Sequence, residues 1–282
     1  MTPGISFTLA AMILFGASDL IYKRGAMAGI GGREFGMLQA WVFFPGVTAY
    51  ALATGNLMFN IGALWGAAAG LCLVVAVINF IGSLRAGAVS TNAPVFRLNF
   101  AIAVVLAIVV LGETLNAAKL AALATTFAAV WLLLAEPGAF RARLDMQSFT
   151  RVLIATVAMG CGNFCYKLGV INGALPETMI VAQALVFCPA TTLIFWLANR
   201  RFVFTPGGWR YTSAAAVILV AAFVIQLHGL AVGPASVLVP VSQMGFVITA
   251  LLGALIFGER LNARKQIGLA VAVAALALFA VS

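Results

Sequence analysis

The sequence predicts an all-α integral membrane protein, ten transmembrane helices in two inverted five-helix repeats around a central cavity. Three observations carry that prediction. The 282 residues are 64% hydrophobic, with a mean hydropathy of +1.13. Ten apolar windows of about 20 residues follow one another along the chain. A phrase late in the first half, "LGETLNAAK" (111–119), returns in the second as "FGERLNARK" (257–265). So apolar a chain cannot coat a globule with polar surface, so its solvent is mostly lipid. Continuous apolar runs, rather than short alternating segments, select helices over a barrel.

The windows are 5–24, 34–54, 62–84, 88–111, 117–135, 151–171, 177–198, 212–232, 234–257 and 264–281. The first is preceded by "MTPG", without Lys or Arg, and no small-residue cleavage pattern follows it. It therefore reads as a retained span rather than a signal peptide. Connectors such as "GNLMFN", "RAG" and "VGP" leave no room for a soluble domain. The longest, "EPGAFRARLDMQSFT", joins the halves and predicts repeats at 1–136 and 151–282 with a linker at 137–150.

Aligned at an offset of 146, residues 84–119 and 230–265 are identical at 14 of 36 positions, including Pro94, Gly112, Glu113, Leu115, Asn116 and Lys119. At an offset of 144, "QAWVFFPG" (39–46) meets "QALVFCPA" (183–190), and "FGASDLIYKRGA" (15–26) meets "MGCGNFCYKLGV" (159–170). Such self-similarity indicates duplication. Five spans is an odd number, so the second half enters the membrane from the opposite face. Charge agrees. Thirteen of the sixteen Lys and Arg residues fall in one alternate set of loops, while the other set holds only Lys119 and Lys167, and Arg97 lies inside a span. By the positive-inside rule the rich side is cytoplasmic, which places both termini outside.

Ten spans in two halves, each closing its fourth span on Gly-Glu-x-Leu-Asn, resemble the EamA-type members of the drug/metabolite transporter superfamily. The resemblance covers essentially the whole chain and is closest to the bacterial aromatic amino-acid exporters. It implies a basket in which spans 1–4 and 6–9 surround a path, with spans 5 and 10 at the periphery. It also implies a multi-pass protein of the bacterial inner membrane.

Glu113 and Glu259 stand where one span ends and the next begins, and can accept from the free N–H groups opening span 5 or 10. Asn116 and Asn262 suit the N-cap positions. The motif therefore reads as a corner device rather than a substrate contact. Pro94 and Pro240 predict kinks early in spans 4 and 9, and Pro45 and Pro189 in spans 2 and 7. Gly62, Gly66 and Gly70 form a small-residue packing stripe on span 3. Tyr22 and Tyr166, each followed by Lys, read as interfacial anchors. The four cysteines lie within apolar runs without His or carboxylate nearby, so they read as packing residues.

Ionisable residues at depth are costly and are the default functional candidates. Asp19 and Arg97 fall at similar depths, where they can form an ion pair. Alternatively, Arg97 can receive a substrate carboxylate on its planar fork of donors. Their repeat partners are Asn163 and Gln243, which suggests a pair matched within each half. The remaining candidate substrate-binding residues are Asn79, Gln226, Gln243 and His228. His228 is the sole histidine, able to serve as a proton site or simply to pack. Asn92, Asn99, Gln39 and Gln183 are further polar positions within spans.

These residues predict a secondary exporter of small organic solutes, most simply amino acids or related metabolites, working by alternating access. The alternative is a broad exporter of aromatic or cationic drugs, which wants a free intramembrane carboxylate such as Asp19. No Walker motif, H-E-x-x-H or Gly-x-Gly-Asp occurs, so neither ATP hydrolysis nor intramembrane catalysis is expected. The reading calls for no catalytic residue, cofactor or metal. Its partners are a small-molecule substrate and membrane lipid. The net charge of +9 is explained by loop topology and anionic headgroups rather than by nucleic acid. A monomer suffices.

Overall fold

The computed structural model describes residues 2–84, 89–134, 145–257 and 262–281. Among these residues twelve helices form ten spans, each long and apolar enough to cross a membrane. In the first half these are α1 (Ile5–Met27), α2 (Gly32–Ala53), α3 (Ala63–Ser83), α4 (Val89–Arg97), α5 (Asn99–Leu111) and α6 (Ala117–Leu134). The second half repeats the order as α7 (Met146–Ile171), α8 (Pro176–Asn199), α9 (Gly208–Val232), α10 (Ala235–Gln243), α11 (Gly245–Phe257) and α12 (Ala263–Val281).

The fourth and ninth spans are thus each two helices. The breaks fall at Leu98 and Met244, four residues after Pro94 and Pro240. There the backbone tightens to i→i−3 bonds: Leu98 N–H to Val95 O at 3.1 Å, and Met244 N–H to Val241 O at 3.1 Å. Pro45 and Pro189 differ from that pattern, lying inside the unbroken helices α2 and α8.

The halves interlock, and the packing repeats across them. α1 packs on α9 as α7 packs on α3, α2 on α9 as α8 on α3, and α1 on α11 as α7 on α5. α2 with α8 and α6 with α12 are their own images. Glycine permits the closest crossings. A Cβ at Gly16 would sit 2.6 Å from Gly245 O, and one at Gly160 would sit 2.6 Å from Asn99 O. The predicted stripe on α3 is used likewise, with Gly62 against Asn172 O, Gly66 against the Met179 backbone and Gly70 against Gln183 O.

Thr2 Oγ1 donates to Phe279 O at 3.2 Å, so both ends of the chain meet at one end of the bundle. The opposite end carries the basic residues, including Arg24, Arg33, Arg151 and Arg210 at helix ends and Arg200 and Arg201 in the α8–α9 loop. Between them, Phe15 of α1, Phe43 of α2, Tyr166 of α7 and Phe223 of α9 form an aromatic layer. Phe223 is its hub, with ring centroids 5.3 Å from Phe15, 5.9 Å from Phe43 and 6.0 Å from Tyr166.

Candidate functional site: a charged pair, two tyrosine clamps and a buried carboxylate

Arg97 closes α4, immediately before the break in the fourth span. Its Nη2 donates to Asp19 Oδ2 of α1 at 2.7 Å. Both residues stand eight positions from the basic end of their helices, about 12 Å in at 1.5 Å per residue. Their side chains are 25% and 28% exposed, so the pair borders open space instead of being closed off. Thr249 of α11 brings its hydroxyl to the same Asp19 oxygen at 3.3 Å, adding a contact from the second half.

The second half does not copy this arrangement. Asn163, the repeat partner of Asp19, donates through Nδ2 to Asn99 Oδ1 at 3.0 Å, across the α7–α5 crossing. Gln243, the partner of Arg97, is half-buried at the end of α10 and does not bond Asn163. The expected amide pair is replaced by a bond between halves. The glycine crossings are equally close in the two halves; the difference is that Asn99 offers Asn163 an amide, whereas its repeat partner at the α1–α11 crossing is Gly245, which offers Asp19 no side chain.

Tyr22 and Tyr166 do not serve as interfacial anchors. Tyr22 donates to Gln39 Oε1 at 2.5 Å and Tyr166 to Gln183 Oε1 at 2.5 Å, so each ties the first span of its half to the second. Gln183 is 2% and Tyr166 4% exposed, so the phenol is shut off from water and this bond satisfies its hydroxyl.

The remaining expected residues separate. Asn79 donates to Val75 O of its own helix at 2.9 Å and lines an outer groove between α3 and α7, apart from Arg97. Asn92 is buried, joining α4 to Ser83 O and Ser148 Oγ at 3.1 and 2.9 Å. Gln226 is buried on α9 two residues before His228, and it does not bond the charged pair.

His228 stands four residues from the end of α9, on the side of the aromatic layer opposite Arg97. Its Nδ1 lies 2.8 Å from Val224 O, which can only accept, so Nδ1 carries a proton. Its Nε2 lies 3.7 Å from Oε1 of Glu177, in the first turn of α8. Glu177 is 2% exposed and, among the described residues, its Oε2 has no hydrogen-bond partner. Sequence reasoning missed this residue. "Pro-Glu" at a span's start reads as an ordinary first-turn acid, and nothing in the string turns its side chain inward.

The corner motif acts across the halves. Glu113 accepts from Ala235 N–H and Ser236 N–H, both at 2.8 Å, so it caps α10 and not the helix that follows it in sequence. Asn116 and Asn262 do cap the next helices, accepting from Lys119 N–H at 2.8 Å and Lys265 N–H at 2.9 Å. Lys119 completes the first corner by donating to Thr114 O at 2.8 Å. Glu259 lies outside the described residues.

Ten spans, interlocked by an inverted repeat and broken in the fourth of each half, define a polytopic membrane protein. Residues 149–281 match the model of the EamA-like transporter family, a family of membrane transporters. That match supports the resemblance to the drug/metabolite transporter superfamily. A crystal structure described only as that of a protein shares the fold, with a TM-score of 0.82 at 18% identity over 98% of this chain and 95% of its own. No curated protein sequence is a significant match.

Proposed function

We propose that this protein is a secondary exporter of small carboxylated solutes, amino acids including aromatic ones, across a bacterial inner membrane by alternating access. The observation that carries the reading is the Arg97–Asp19 pair. It holds a guanidinium at depth, a quarter exposed, with further donor positions unspent. A solute carboxylate can compete with Asp19 for those donors while Asp19 keeps Arg97 paired at rest. Because Arg97 neutralises Asp19, export of cationic drugs lacks the free carboxylate it would need there.

In this reading Asp19 and Arg97 receive the solute, and Gln243 and Gln226 meet it further along the path. The aromatic layer around Phe223 divides one end from the other. The unequal halves at 1–136 and 151–282, joined by 137–150, rock about the α2–α8 and α6–α12 contacts. Both termini face the periplasm. Counterflow in proteoliposomes, with a panel of labelled amino acids, tests the function. Exchange against unlabelled solute supports the reading, and absence of exchange across the panel overturns it.

A further inference from the structure

We infer that Glu177 and His228 form a proton-binding site that couples transport to a pH gradient from the end of the bundle where the chain termini meet. The inference rests on the transport reading above and adds the coupling ion to it.

The argument begins with burial. A carboxylate removed from water and only partly hydrogen-bonded is costly when charged. Glu177 is 2% exposed, its Oε2 has no partner among the described residues, and its Oε1 stands 3.7 Å from the imidazole, beyond hydrogen-bond distance. His228 has its Nδ1 proton committed to Val224 O. Its Nε2 therefore presents a lone pair when the ring is neutral, which cannot satisfy a carboxylate. One added proton resolves the conflict, either on Nε2 as imidazolium facing carboxylate, or on Glu177 facing neutral imidazole. A proton taken up from water at the terminal end binds the pair, and alternating access releases the same proton to water on the opposite side, so each cycle carries it across the membrane. The His228 side chain is 42% exposed, so it is the member of the pair that a proton can reach, while Glu177 is enclosed.

Among the described residues, no other charge near this end is arranged to take over that role. Helices α2, α3, α7 and α9 pack on α8. On α7, Lys167 is turned to the end of α9, donating to Leu230 O at 2.8 Å and Gly233 O at 2.6 Å, and Tyr166 is held by Gln183. Tyr50 of α2 is 42% exposed, and the titratable residue of α3 is Cys72 in mid-helix. Against α9, α1 offers Phe7, whose ring centroid is 6.5 Å from that of His228, and α10 carries no titratable residue. Glu113 is committed to the start of α10 and Lys119 to Thr114 O.

The site also lies far from Arg97. Eight helical residues separate Arg97 from the basic end, whereas Glu177 is the second residue of α8 at the other. A single amino acid cannot span that distance, so the pair is not a second handle on the same substrate.

The test uses the full chain in proteoliposomes with two readouts, counterflow at equal pH and net transport driven by an imposed pH gradient. Wild type is expected to show both, with the gradient changing net transport several-fold. Glu177→Gln and His228→Gln are expected to keep counterflow within about two-fold and to lose the response to the gradient. His228 is sufficiently exposed that its variant tests coupling even if Glu177→Gln folds poorly. Variants that still respond to the gradient as wild type does, or a wild type with counterflow but no response, overturn the proton site and leave transport standing. A wild type without counterflow removes the transport reading and this proposal together.

Discussion

Tyr166 gives its hydroxyl to Gln183 at 2.5 Å, and the duplicated pair Tyr22 and Gln39 makes the same bond at 2.5 Å. The two clamps lie on opposite sides of the midplane, because the halves are inverted. Removing one phenol leaves a buried amide oxygen unsatisfied, at a cost of about 1–3 kcal/mol. Tyr166→Phe is expected to lower the thermal midpoint in detergent more than Tyr22→Phe, since Gln183 is 2% exposed and Gln39 9%. Equal and negligible effects would show that neither clamp stabilises the fold.

Glu113 caps the start of α10 with both carboxylate oxygens. Charge-assisted bonds of this kind contribute about 1.5–3 kcal/mol. Glu113→Gln keeps one acceptor, so it should reduce the folded yield while leaving substrate preference unchanged. Glu113→Ala should reduce it further. A well-folded variant with altered preference, measured by competition in counterflow, would move this corner into the transport path.

Two glycine substitutions should act with opposite sign. A Cβ at Gly66 meets the Met179 backbone, so Gly66→Ala forces α3 away from α8. A Cβ at Gly36, within α2, meets nothing within 4 Å. Gly36→Ala should therefore leave stability unchanged or raise it by up to about 1 kcal/mol, the usual helical gain. Thermal midpoints of the two variants, compared in one detergent, decide the matter.

Orientation follows from the basic loops. Tags at Met1 and Ser282 are expected to be reached from the periplasm, and a C-terminal reporter active only in the cytoplasm should stay dark. A bright reporter would reverse the orientation while leaving the inverted repeat intact.

Most of the architecture was legible because lipid imposes it: an apolar run of span length has few alternatives, and duplication at fixed offsets exposes the inversion. The Asp19–Arg97 bond was legible for a related reason, since two opposite charges at equal depth must find each other or remain unpaired. What escaped depends on which face of a helix turns toward which neighbour. Glu113 was expected to serve the helix next in sequence, yet the free N–H groups nearest in space belong to α10. Tyr22 and Tyr166 sit beside Lys at span ends, where anchoring and inward bonding give the same string. Glu177 follows a proline at a span's start, and only the packing of α9 against α8 shows that it is buried beside His228. The breaks after Pro94 and Pro240 were foreseen as kinks, whereas Pro45 and Pro189 leave their helices unbroken.

The central claim is that Arg97 receives the carboxylate of the transported solute, and the most direct measurement is counterflow of free amino acids compared with their neutral amides. Wild type should exchange free acids far faster than amides. Arg97→Gln should abolish exchange of the acids, and Asp19→Asn combined with Arg97→Gln should recover folded yield without recovering that exchange. If the double variant exchanges free acids near the wild-type rate, or if wild type treats acids and amides alike, the pair only holds α1 to α4 and the solute is bound elsewhere.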